Sequence, residues 1–529
     1  MARSSAMRRL LALVLAGLLA VVAPAAAQAP QRGGTLIFSV VAEGPTFDCH
    51  ATDSATVVFV AAPFYSTLLR FDLARYPEIV GDLAESWSVS ADGLAYTFRL
   101  RQGVVFHDGT PFTSADVKAS YERIVRPPPG IVSARSTIYA DIEAIDAPDP
   151  LTVVFRLRRA NPSMLAYLAS PWNCIYSAAR LAQDPNRPAT HIMGTGPFRL
   201  GEYVAGSHFT GTRFERYFVP DRPYVDAIRG VFMGGAAMVN ALQGGQIHID
   251  SRGVSPAQRD RLVQAMGERV RVVEGNMLLG FLITFNTQRP PFDDIRVRRA
   301  LNLAIDRRGG AAALRRSSLL RDAGGILRPG APFAASEAEL DALPGFARDI
   351  RAAREEARAL LREAGRTNLS FALVNRNIAD PYTPAGVFLL DQWRQIGVTV
   401  EHRQIEPSAY LAAIESGNFE VALDFQSLFM DEPTLALEKY LSSDRSPQSR
   451  WRGTDRELDT LYDRQAQSRD AGERRMLLRS FERRVFEQAN VVPFMWWSRI
   501  VAMSAALQGF HSAPSYLLGQ DWADVWLQR

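Results

Sequence analysis

The sequence predicts an α/β protein of two or more lobes, on three observations. Helix and strand signals alternate along the whole chain. One stretch, 386–425, reads as helix, strand, helix and strand with short links. The chain is also long, 529 residues, beyond the size at which a single hydrophobic core stops growing.

The first residues read as an export signal. Arg8-Arg9 precede an apolar run from Leu10 to Val22, closed by Pro24 and Ala25-Ala26-Ala27. Basic start, apolar middle and small-residue end make a secretory signal peptide. The run is shorter than the ~20 residues a membrane span needs. Cleavage is expected after Ala27, so residues 1–27 leave and Gln28 begins the mature chain; a cut after Ala29 would leave Pro30 first. The residue directly after that site is Gln28 and not a cysteine, so a periplasmic protein without a lipid anchor is expected. Loss of Arg3, Arg8 and Arg9 takes the formal charge from +4 to about +1, which predicts no nucleic-acid partner.

Thr35 to Val40 is the first strand. Tyr96, Phe98 and Leu100 alternate with Thr97, Arg99 and Arg101, the period of a strand with one buried face. Val104-Val105-Phe106 reads as a second strand. Asp108-Gly109 is a turn, and Thr113 opens a helix with Asp116 in capping-box position. His107-Asp108, which resembles half of a catalytic dyad, therefore sits at a strand end beside a turn and reads as structural. Further on, Val239 to Leu242 closes a helix, Gly244-Gly245 break it, and Ile247 to Ile249 resume a strand.

From Ile295, apolar residues at 297, 300, 301, 304 and 305 line one helix face. Ala352 to Ala364 is a helix stopped by Gly365. Gly386 to Ile396 is another, stopped by Gly397. A strand begins at Val398, Pro407 to Ser416 is a helix, and Phe419 to Phe425 is a strand. Such a unit places its strands parallel in one sheet. Two cysteines follow the signal, Cys49 and Cys174. Export favours a bridge, but the separation of their Cα atoms decides it, so paired and free states both stay open.

No nucleophile elbow, phosphate loop or zinc-protease motif occurs. The histidines, at 50, 107, 191, 208, 248, 402 and 511, show no metal-ligand spacing. The reading is a binding protein rather than an enzyme, with no cofactor.

Five blocks carry a specific resemblance: "LAESWSVSADGLAYTFRLRQGVVFHDGTPFTSADVKASYERI" (83–124), "GTGPFRLGEY" (194–203), "LQGGQIHID" (242–250), "FNTQRPPFDDIRVRRALNLAIDR" (285–307) and "LDQWRQIGVTVEHRQIEPSAYLAAIESGNFEVAL" (390–423). In order and content they resemble family 5 extracellular solute-binding proteins, the dipeptide-, oligopeptide- and nickel-type receptors of ABC importers. The resemblance implies a two-lobed periplasmic-binding-protein type II (cluster C) fold. The first lobe would span 28–285 with an inserted subdomain at about 76–190, the second 286–500, and 501–529 would return to the first. It also implies a monomer that closes on a small-molecule ligand and docks on a permease and its ATPase, touching the membrane only through them. Alternatives are a receptor for a nickel chelate or haem, or a sensor or chaperone on the same fold.

Expected ligand contacts are Phe47, Cys49, Asn286, Arg376, Asp380, Tyr382, Phe425, Gln426, Phe429, Asp431, Trp496 and Trp497. Two positions depart from the family pattern. Phe429 stands where peptide-binding members carry an aspartate for the peptide ammonium, three residues before the acidic-Pro pair Glu432-Pro433. Asp380 stands where dipeptide receptors carry an arginine for the carboxylate, before Pro381-Tyr382. A buried charge without a partner costs several kcal/mol, so a dipeptide held in the family's usual way is not expected. Either Phe425 and Phe429 are core and Asp431 and Arg376 take over the two roles, or the pocket is apolar there and takes a ligand that is neutral, or cationic near Asp380. Trp496-Trp497 either line the cleft or pack at the lobe junction.

Overall fold

The computed structural model describes residues 29–529; the expected signal peptide and its cleavage site lie outside the described residues. Among the described residues no helix is long and apolar enough to cross a membrane.

Two long strands organise the molecule. Val270–Phe285 and Val491–Ser504 run antiparallel through the middle of an eleven-stranded sheet. Val270–Asn276 pairs with Ser504–Ser498, the register breaks, and Gly280–Thr284 pairs with Trp496–Val491. Residues 491–503 are buried without interruption, as expected for a strand covered on both faces. Each half of the pair carries a different lobe. The 498–504 half meets Ile249–Asp250, which leads to Thr35–Val40, Ala227–Phe232, His208–Arg213 and Phe198–Val204. The 279–285 half meets Val421–Ser427, which leads to Ser370–Arg376 and Thr399–Ile405. Among the described residues, the two halves of the sheet are joined through these two strands.

The second lobe's crossover pattern is present. Helices Tyr382–Arg394 and Pro407–Ser416 alternate with the strands, and Gly397 and Gly417 end their helices at positive φ of 81° and 79°. Strands Thr399–Ile405 and Val421–Ser427 are parallel to Ser370–Arg376 and flank it, so they are not direct neighbours.

A separate four-stranded antiparallel sheet, Ala84–Val89, Ala95–Leu100, Thr152–Leu157 and Ile142–Asp149, is covered by helix Ser114–Val125. Its core includes Phe98, Tyr121 and Phe155 in edge-to-face contact. The capping box forms, with Asp116 accepting from the Thr113 N–H at 2.8 Å. Two strand expectations are corrected. Val104–Phe106 makes only an isolated bridge, Val105 to Pro111, because the Phe106 N–H and Val104 carbonyl bond to Thr110 and Phe112 of the turn that follows. Ile247–Ile249 shortens to Ile249–Asp250.

His107 joins this subdomain to the first lobe. Its Nε2 donates to the Gly196 carbonyl at 3.0 Å, its Nδ1 accepts from the Gly194 N–H, and its ring packs edge-on against Phe214. Neither glycine tolerates a side chain: a Cβ at either would lie 2.4 Å from the backbone of Phe64. The "GTG" of that block is thus a close passage of two chain segments. Burial pushes the His107 pKa down to about 4. Asp108, despite some burial, is held down to about 2 by hydrogen bonds from Thr110 and Arg180. The dyad-like pair belongs to the scaffold.

Cys49 and Cys174 are bridged, with Cα atoms 6.1 Å apart and a sequence separation of 125. His50 lies beside the bridge, donating to the Cys174 carbonyl, and burial depresses its pKa to about 3.

Two outcomes are expected. Closing so long a loop stabilises by about 2–5 kcal/mol; reduction, or Cys49→Ser with Cys174→Ser, is therefore expected to lower the melting temperature by several degrees. An unchanged midpoint in thermal scans with and without reductant would refute this. For His107 the unfolded ring (pKa near 6.5) binds more protons than the folded one between pH 6.5 and 4, so its contribution is complete above pH 6.5 and fades towards pH 4. That contribution is on the order of 3 kcal/mol. Asp82, pushed up to about 6 by burial, titrates in the opposite sense, so the readout is a difference. The stability gap between wild type and His107→Gln is expected to narrow from pH 7 to pH 4.5 in urea titrations, and a gap constant with pH would refute the assignment.

Candidate ligand-binding cleft

Parallel strands aim their carboxyl ends at one place in each lobe, and ligands in open α/β sheets collect outside such ends. A cavity of about 500 Å³ lies there, between the lobes. On the first-lobe side it is walled by Val41, Gly234 and Arg252, each one or two residues past the end of a strand. On the second-lobe side it is walled by Arg376 and Ser427, the last residues of theirs. Trp497, Ser498 and Arg499 of the long central strand form the back. Three helices, Gly235–Gln243, Pro256–Met266 and Tyr382–Arg394, begin at its wall, which adds a positive potential.

Arg376 is held among aromatic side chains. Its guanidinium stacks on Phe425 at 4.1 Å and Tyr410 at 4.6 Å and donates to the Tyr382 hydroxyl at 2.8 Å. Such stacking fixes the planar fork at little entropic cost. Behind it, Lys439 pairs with buried Asp424 at 2.7 Å. Asp380 points one oxygen at the Ser318 hydroxyl (2.6 Å) and the Leu319 N–H (3.4 Å). Its other oxygen is buried and has no partner among the described residues. Burial raises its pKa above the ordinary aspartate value, against those hydrogen bonds. Arg499 is buried and spends its donors on the carbonyls of Ser251, Ala513 and Ser515; burial lowers its pKa to about 10. It fastens the back wall to the C-terminal segment.

Of the expected contacts, Arg376, Asp380, Tyr382, Phe425 and Trp497 line this cavity. The others lie elsewhere. Phe47 packs edge-on against Tyr203. Cys49 is consumed by the disulfide. Asn286 donates to the Gly417 and Phe419 carbonyls, and Gln426 bonds with Ala436 and Tyr440. Phe429 meets Trp172 edge to face. Asp431 is clamped by Arg328 at 2.6 Å. Trp496 is buried with its N–H on the Gly325 carbonyl. Sequence reasoning missed Arg252, Arg499 and Tyr516. The end of strand Ile249–Asp250 was the available signal for Arg252.

A second cavity, about 440 Å³, lies between residues 67–82 and 509–526. Its acids Asp521 and Asp524 pair with Arg70 and Arg222, and no strand of the second lobe borders it. Among the described residues no three histidine, cysteine or carboxylate side chains converge on a metal position.

The family described as bacterial extracellular solute-binding proteins, family 5 middle region, matches residues 78–448. The chain is 26% identical over 502 residues to the glutathione-binding protein GsiB of Escherichia coli O1:K1 / APEC, covering 92% of this chain and 94% of that one. It is 32% identical over 365 residues to a putative ABC transporter peptide-binding protein of Brucella ovis, covering 67% and 64%. Among solved structures it is similar to the binding protein AgaA of A. tumefaciens R10 in complex with agropinic acid, at TM-score 0.75 and 26% identity over 94% of this chain and 99% of that one. Its fold is also that of DppA from Helicobacter pylori in complex with the peptide STSA, at TM-score 0.76 and 23% identity over the same shares. A two-lobed architecture with a ligand-sized cavity between the lobes, and a family match across most of the chain, lead to one conclusion: the chain belongs to family 5 of the bacterial extracellular solute-binding proteins.

Proposed function

We propose that this protein is the substrate-binding component of an ABC importer, capturing a small organic solute between its lobes and presenting it to a membrane permease. The observation that carries the reading is the cavity shared by both lobes at the carboxyl ends of their strands, backed by the two long strands that run through both. Rotation about the register break between Asn276 and Gly280 would open and close it. The protein itself makes and breaks no bond; it works as an exported monomer, cleaved after Ala27 and without a lipid anchor, and meets the membrane through the permease. The relatives' names support an acid-bearing, peptide-like or opine-like ligand. Arg376 takes the part that the sequence left open for it, while Asp431, held by Arg328, has no free oxygen to offer an ammonium.

The test is ligand-dependent closure. Solute that co-purifies from the native host is identified by mass spectrometry, removed and added back. At ~100 times its dissociation constant it is expected to add about 2.7 kcal/mol, a rise of a few degrees for a chain this long, together with a smaller radius of gyration in X-ray scattering. A tight ligand that left both the scattering and the inter-lobe distances unchanged would sink the closure mechanism.

A further inference from the structure

Five charged side chains line the cavity and none forms an ion pair among the described residues; Asp250 and Arg499 are engaged by Ser39 and by backbone groups, which leaves Arg376, Arg252 and Asp380 with unused hydrogen-bonding capacity. Arg376 and Arg252 line it from opposite lobes, and among the described residues neither forms an ion pair. Arg252 is exposed, its guanidinium 5.9 Å from the Tyr516 ring. Arg376 is deeper, and only one of its donors is committed to the protein, to Tyr382. Two unpaired guanidiniums facing one space, joined there by three helix N-termini, attract an anion and repel each other without one. The planar fork of arginine matches a carboxylate in two parallel hydrogen bonds. The third group, Asp380, has one oxygen fixed by Ser318 and the other unpartnered. That oxygen lies buried in the wall, so a donor reaches it only when the wall parts, and a carboxylate oxygen left unmet there favours a protonated nitrogen.

Resting on the reading above, we propose that Arg376 and Arg252 clamp a carboxylate of the solute from opposite lobes, and that Asp380 takes a protonated nitrogen of the same molecule. The ligand class is a small amphoteric acid, and the clamp is what couples binding to closure.

Glutathione, its diethyl ester and its N-acetyl form separate the two contacts. Each is titrated calorimetrically into solute-free wild type, Arg376→Met, Arg252→Met and Asp380→Asn, with Arg376→Lys and melting temperatures as folding controls. Free glutathione is expected to bind wild type most tightly. Arg376→Met is expected to weaken it tenfold or more, the loss of a hydrogen-bonded charge contact. Arg252→Met is expected to weaken it by roughly two- to fivefold, as for an exposed pair, and Arg376→Lys by an intermediate factor. Neither arginine variant should alter binding of the diethyl ester, and Asp380→Asn should leave the N-acetyl form unaffected. An ester that binds as well as the free acid, or folded Arg376→Met that binds glutathione like wild type, overturns the clamp. If none of the three binds, the co-purifying solute decides: an acid group and a basic nitrogen support the proposal, and absence of either overturns it. A protein that holds no solute and never compacts fails as a receptor, an outcome distinct from a receptor whose ligand ignores Arg376.

Discussion

The antiparallel pairing of Val270–Phe285 with Val491–Ser504 is the constraint on which the rest of the structure depends. Each strand belongs to both lobes, so the lobes share a sheet and their separation is limited by two continuous backbones. The ladder is regular from Val270 to Asn276 and shifts register twice beyond it, between Asn276 and Gly280 and between Phe281 and Leu282. The regular half resists shear, since sliding by one residue would turn a buried strand's side chains to the wrong faces. The two shifts interrupt the ladder in the middle of the pair, and the cavity is backed by that stretch at Trp497, Ser498 and Arg499.

The first lobe is stiffened around its inserted subdomain by a dense set of local devices. His107 reaches the carbonyl of Gly196, the glycines at 194 and 196 let two backbones pass in contact, and the Cys49–Cys174 bridge ties the start of the lobe to the end of the insertion. Beside that bridge, Asp48 forms a buried ion pair with Arg123, whose hydrogen bonds oppose the cost of burying the carboxylate. A buried pair of this kind adds little net stability over apolar packing but is costly to break. Its effect is to hold helix Ser114–Val125 against the segment around Asp48.

The electrostatics of the cleft follow from the same topology. Parallel strands end there, helices begin there, and the helix N-termini bring partial positive charge. Arg376 adds a full charge and is held still by Phe425, Tyr410 and Tyr382. In this wall Arg376, Arg252 and Asp380 form no ion pair among the described residues, while Lys439 behind it pairs with Asp424.

Much of the fold was legible in the sequence because local chemistry dictated it. Strand Thr35–Val40, the capping box at Thr113 and Asp116, and the glycine stops at 397 and 417 all depend on residues close in the chain, where backbone dihedrals and side-chain periodicity decide. Arg376, Asp380, Tyr382, Phe425 and Trp497 were reachable because they flank the ends of such elements. What the sequence could not settle was long-range. Val104–Phe106 has the composition of a strand, but its hydrogen bonds go to its own turn. Asp431 and Phe429 adjoin the cleft segment in sequence, yet Arg328 and Trp172, more than 100 residues away, draw them off. Arg252 looked like any other arginine until strand order placed it opposite Arg376. Composition and periodicity determined which elements form; only tertiary structure decided which charges are left without partners, because pairing depends on distances in space that neighbours in sequence do not set.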